Sequence, residues 1–103
     1  MGTPNYMPPE CIHDKFTNKK SDIYSLGGLL YNMISGFPPF MGGSEYLIFK
    51  DILEKKIPKF YDFLFDDFEI NLISDMMKHD ADLRPSIDDV LLKINHWGDI
   101  EFD

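Results

Sequence analysis

Between Ser21 and Ile34 the chain carries apolar side chains around most of a helix's circumference. At about 100° per residue, Leu29, Met33, Leu26, Leu30, Ile23, Ile34, Tyr31 and Tyr24 spread over roughly 220° of arc, leaving Ser25, Asn32 and Ser35 as a polar strip. A helix lying on a surface shows a narrower apolar stripe, so this one has to be enclosed from several sides, with the other elements arranged around it. Ser21 is an N-cap residue type, and Asp22 places a carboxylate at the positive end of the helix dipole. Gly36 followed by Pro38-Pro39 stops the helix after about Ile34.

Three further helices have readable limits. Ser44 caps a segment carrying Leu47, Ile48, Ile52 and Leu53 to about Lys56, ended by Ile57-Pro58. Asp66-x-x-Glu69 has capping-box spacing and opens a helix with Ile70, Ile73, Met76 and Met77. Ser86-x-x-Asp89 repeats the device after Pro85 and leads through Val90, Leu91 and Ile94 to Trp97, where packing is the role of the indole. Between the second and third helices, Phe60, Tyr61, Phe63 and Phe65 are expected to pin a loop to the helices. No segment has strand alternation, so the fold class is all-α, about four helices. Residues 1–97 read as one structural unit, and 98–103 as a frayed acidic tail.

Composition bounds the function. With 18 acidic against 10 basic side chains the net charge is −8, which argues against a nucleic-acid partner. Cys11 is the only cysteine, so neither an internal disulfide nor a thiolate metal cluster can form within the chain, and a reducing, intracellular, cytoplasmic setting is expected. His13, His79 and His96 lack metal-ligand spacing. No apolar run approaches the length of a membrane span. The N-terminus has no signal-peptide pattern, and Tyr6 stands where a myristoylation signal has Ser or Thr.

The order of the short motifs is more informative than any one of them. Gly2-Thr3-Pro4-Asn5-Tyr6-Met7-Pro8-Pro9-Glu10 is followed by Ser21-Asp22-Ile23-Tyr24-Ser25-Leu26-Gly27, then Gly36-Phe37-Pro38-Pro39-Phe40, then Asp80-x-x-x-Arg84-Pro85. This series resembles the C-terminal helical part of the C-lobe of the eukaryotic protein-kinase domain, over nearly the whole chain. Gly36 to Phe40 and Ser44-Glu45-Tyr46-Leu47-Ile48-Phe49-Lys50 are similar to the 3-phosphoinositide-dependent protein kinase branch of the AGC group; polo-like kinases share the G-T-P-N-Y opening. Two positions depart from the family pattern: Pro8, where Ala or Ser is usual, and Gly28, where a larger residue is usual.

The resemblance implies roles for individual residues. Thr3 would support the catalytic loop of a Ser/Thr kinase, whereas an isolated Thr in a turn would only cap its own backbone. Gly2, Thr3, Tyr6 and Met7 would form the loop that receives the substrate residue after the phosphoacceptor. Glu10 and Arg84 would form a buried ion pair tying this loop to the last helices, and Asp22 would accept hydrogen bonds from the catalytic loop. Catalytic residues are none in this chain. The Gly-rich loop, the phosphate-pairing Lys, H-R-D and D-F-G do not occur in the sequence. No cofactor or metal is expected on these residues, and ATP and Mg²⁺ are implied only for an intact kinase.

Two functions follow. One is a partial Ser/Thr kinase domain whose intact form transfers the ATP γ-phosphate to proteins, including other kinases. The other is a catalytically empty kinase-lobe remnant that binds a docking protein on the helix from Ser44 to Lys56. In both, the helix from Ser21 leaves apolar surface uncovered, so the chain by itself is expected to aggregate, bind hydrophobic dye or fold only partly.

Overall fold

A computed structural model describes residues 6–13, 18–55 and 57–101. Among them the chain is helical and holds no strand: α1 (Pro9–His13), α2 (Lys19–Ser35), α3 (Glu45–Lys55), α4 (Asp67–Met76), a 3₁₀ turn (Ala81–Leu83) and α5 (Ile87–Glu101). The short α1 is additional to the four helices expected. Pro9 takes its first position, where the missing N–H costs nothing, and the N–H groups of Cys11 and Ile12 both donate to the Pro8 carbonyl.

α2 starts earlier than its Ser21 suggests. Asn18 is the N-cap: its Oδ1 accepts from the N–H of Lys20 at 2.8 Å and of Ser21 at 3.0 Å. Ser21 is the third helical residue, returning its Oγ to the Asn18 N–H at 3.2 Å. Both residues are cap types, and the pair closes a capping box from opposite ends. Gly36 ends α2 in the left-handed region, φ 88°, with its N–H on the Asn32 carbonyl at 2.7 Å. The other caps lie where the sequence places them. Ser44 Oγ accepts from Leu47 N–H at 3.3 Å, Asp66 and Glu69 close a reciprocal box at 2.7 and 2.9 Å, and Ser86 Oγ accepts from Asp89 N–H at 3.1 Å. α5 continues to Glu101, past Trp97, so the helix does not end where the tail was expected to begin. Gly98 lowers helix propensity by about 1 kcal/mol, too little to break a helix with no proline after it.

α4 lies against the middle of α2, and Gly27 permits the approach. A Cβ there would meet Met77 Cγ at 2.8 Å and Met76 Cβ at 3.0 Å. One apolar cluster gathers Tyr24, Tyr31, Phe40, Ile52, Phe65, Ile73 and Met77; a second gathers Ile23, Leu72, Met76 and Val90. The aromatic loop is pinned to α2 through Phe60 and Phe65, but not through Phe63, which is exposed. The Tyr31 ring lies 4.8 Å from Phe65, 5.6 Å from Phe60 and 5.9 Å from Phe37, and its hydroxyl donates to the Lys59 carbonyl at 2.5 Å. The enclosure of α2 is one-sided. Ile23, Tyr24 and Tyr31 are buried, while Leu29 is 47% and Met33 72% exposed on a strip that Asp22 heads and Leu26 continues.

Candidate functional site

Pro85 forces the residue before it into extended backbone, and Arg84 adopts φ −78°, ψ 147° at the end of the 3₁₀ turn. That directs its side chain inward, where it is fully buried. Nη1 and Nη2 donate to Glu10 Oε2 and Oε1 at 2.7 and 2.9 Å, a bidentate pair. Nη1 also donates to the Lys20 carbonyl at 2.9 Å, Nη2 to the His79 carbonyl at 3.2 Å and Nε to the Lys78 carbonyl at 2.7 Å. All five guanidinium N–H groups are thereby used, which a lysine could not reproduce. Lys20 Nζ in turn donates to the Arg84 carbonyl.

Glu10 is bonded from a second side, since the buried Ser21 donates its hydroxyl to Oε2 at 2.6 Å. Burial pushes the Glu10 carboxyl up, but the hydrogen bonds from Arg84 and Ser21 and the Arg84 charge outweigh it and hold the group below its ordinary range. The guanidinium also lies over the Tyr24 ring, 4.9 Å from its centroid. The Tyr24 hydroxyl is buried with no hydrogen-bond partner, and burial raises its pKa.

Just before α1, Tyr6 is held at three points on α2. Its carbonyl accepts from Ser25 Oγ at 2.8 Å, and its hydroxyl accepts from Asn32 Nδ2. The ring edge lies 3.0 Å from where a Cβ on Gly28 would stand. Met7 follows half-buried, and Pro8 and Pro9 are buried. The polar strip on α2 is therefore the seat of Tyr6: Ser25 and Asn32 grip it, while Ser35 donates to the Tyr31 and Phe37 carbonyls. The sequence exposed that strip and the odd Gly28, the two signals from which the seat could have been found.

Gly2 and Thr3 lie outside the described residues, as do the side chains of His13 and Trp97. Asp22 is exposed in the first turn of α2, and the structure does not bring it to the Glu10–Arg84 pair. On α3, Tyr46 and Leu47 are exposed while Ile52 is buried; Lys56 lies outside the described residues. Cys11 is half-buried, and burial pushes its thiol up, away from nucleophile chemistry. Among the described residues no group of three or more His, Cys, Asp or Glu could hold a metal, and no helix is long and apolar enough to cross a membrane.

An Arg-Pro turn clasping the carboxylate of a P-P-E segment, with a loop tyrosine seated on a central apolar helix, defines a class, and comparison with known proteins agrees. Residues 1–94 match the protein kinase domain, and the chain belongs to the protein kinase family. Within it the chain resembles the helical C-lobe of the AGC branch. It is 37% identical over 83 residues to the cAMP-dependent protein kinase catalytic subunit of Schizosaccharomyces pombe, covering 81% of this chain and 16% of that protein. It is 41% identical over 63 residues to the putative 3-phosphoinositide-dependent protein kinase 2 of Homo sapiens, covering 61% of this chain and 15% of that one. To the serine/threonine-protein kinase ksg1 of S. pombe it is 45% identical over 53 residues, 52% of this chain and 9% of that protein. The chain thus spans a small part of the length of each relative.

Proposed function

We propose that these residues form the substrate-side floor and helical scaffold of a Ser/Thr protein kinase that, in its intact form, transfers the γ-phosphate of ATP to protein Ser or Thr. The observation that carries this reading is the Glu10–Arg84 clasp, which fixes α1 and, through it, the loop bearing Tyr6 and Met7 against α2. A loop so fixed can hold a peptide in register, which is what phosphoryl transfer asks of the protein beyond charge stabilisation. Gly2, Thr3, Tyr6 and Met7 would line the pocket for the residue after the phosphoacceptor. Asp22, exposed at the head of α2, is free to receive a catalytic loop. ATP and Mg²⁺ would be held by residues outside these 103. By resemblance to the 3-phosphoinositide-dependent kinases, other AGC kinases are the substrate class.

A second reading, a remnant that binds a docking protein without catalysis, is favoured by the exposed Tyr46 and Leu47 on α3. The experiment that separates the two is capture of the native protein with an antibody against Ser44 to Lys56, followed by its intact mass and a peptide-kinase assay with ATP·Mg²⁺. A species far heavier than this chain that phosphorylates Ser or Thr supports the kinase. A species of the chain's own mass without activity overturns it in favour of the docking module.

A further inference from the structure

Gly28 sits on the polar side of α2 directly beneath the Tyr6 ring. A methyl group there would come within 3.0 Å of Tyr6 Cδ1, closer than carbon atoms ordinarily approach, with Pro39 Cγ at 3.5 Å and Met77 Cε at 3.8 Å closing two other directions. To admit it the ring has to give way by a few tenths of an ångström, which shifts its hydroxyl relative to Asn32 while Ser25 keeps the Tyr6 backbone carbonyl in place. Gly28 has ordinary helical backbone, and glycine inside a helix costs about 1 kcal/mol against alanine. Backbone conformation therefore does not require glycine here; the space taken by the ring does.

We infer that Gly28 is a positioning residue for substrate selection: by leaving room for the Tyr6 ring it sets the height of the Tyr6–Met7 wall, and with it the size of apolar side chain accepted after the phosphoacceptor. This rests on the kinase reading above. Gly28 touches no substrate and acts only through Tyr6. Asn32 is the latch at the far end of the same ring.

The test uses Gly28→Ala, the smallest intrusion, and Gly28→Val in the longest native protein that contains this chain, alone and in a Tyr6→Ala background. Two quantities are read: the rate of chymotryptic cleavage after Tyr6, and steady-state kinetics on Ser/Thr peptides differing in the residue after the acceptor. Cleavage after Tyr6 is expected to accelerate, with cleavage after Phe65 unchanged. KM for peptides with a bulky apolar residue there should rise about tenfold, on the scale by which small misplacements act, while kcat and KM for ATP hold. Once Tyr6 is alanine, Gly28→Ala should have no further effect on KM. Unchanged cleavage overturns the inference, as does a fall in kcat at constant peptide KM, or an equal effect of Gly28→Ala with and without the ring. If the wild-type protein phosphorylates no peptide, the kinase reading and the selectivity drawn from it both fail, and the cleavage rates still decide whether Gly28 seats Tyr6.

Discussion

Arg84 and Glu10 face each other through two nearly parallel hydrogen bonds of 2.7 and 2.9 Å across a sequence separation of 74 residues. Because both are shielded from water, removing either strands the other charge at a cost of about 3–5 kcal/mol. Glu10→Ala and Arg84→Ala should each destabilise the protein on that scale, and the double variant little more than either alone. Urea unfolding of all four forms checks this; losses that simply add would show that the pair is not coupled. Arg84→Lys should recover little, since it cannot serve Glu10 and the Lys20, Lys78 and His79 carbonyls together.

The same pair makes stability depend on acid. The folded Glu10 carboxyl titrates below its ordinary value of 4.5, so the folded state binds its proton less readily than the unfolded chain does. Its contribution is fully present above about pH 4.5 and is lost as pH falls through the lowered native value. Glu10→Gln should be less stable than wild type at pH 7, with the gap narrowing below pH 4.5. Urea midpoints from pH 7 to pH 3 measure it; a gap constant over that range would contradict it.

Tyr24→Phe should leave stability unchanged or raise it by about 1 kcal/mol, because the hydroxyl is buried without a partner and its removal relieves a desolvation cost. The ring beneath the Arg84 guanidinium is retained. Tyr24→Leu removes that contact and the ring's packing, and should cost about 2–4 kcal/mol. Thermal unfolding of the two variants side by side separates ring from hydroxyl.

Gly27→Ala sets two effects against each other. Helix propensity gains about 1 kcal/mol, but the new methyl meets Met77 Cγ and Met76 Cβ at 2.8 and 3.0 Å, and overpacking costs about 1–3 kcal/mol. The approach of α4 to α2 leaves little slack, so net destabilisation is expected in urea unfolding. A more stable Gly27→Ala would mean that α4 can move away freely.

Leu29 and Met33 should make the chain self-associate, and replacing both with Lys should reduce dye binding and light scattering without lowering the unfolding midpoint, as neither belongs to the buried core. A drop in midpoint would show that they pack inside the chain.

The helices were legible wherever a cap and an apolar period coincide, as at Asp66, Ser44 and Gly36. Their starts are not legible where two cap residues compete. Asn18 and Ser21 both have side chains able to cap, and only the direction of their mutual hydrogen bonds reveals which lies outside the helix. α1 is hard to read from sequence because it is only five residues long and begins at the second of two successive prolines, which suits a first turn. The wide apolar arc of α2 was legible, but the side on which it would be covered was not, since that depends on where α4 and the aromatic loop land. In the site, Glu10 and Arg84 could be named from their motifs. The seat of Tyr6 is signalled only indirectly, by the polar strip and Gly28, because it joins a loop residue to three positions on a helix 19 to 26 residues later.

The clasp between Glu10 and Arg84 also bears on the order of events in folding. Helices α2 to α5 can begin to form from contacts close in sequence, whereas this pair must wait until 74 residues of chain have been brought round. Its bonds should therefore be nearly absent from the transition state, so that weakening them leaves the folding rate almost unchanged and speeds unfolding. Arg84 is then a late fastening, and its strength governs how long the folded protein lasts more than how quickly it forms.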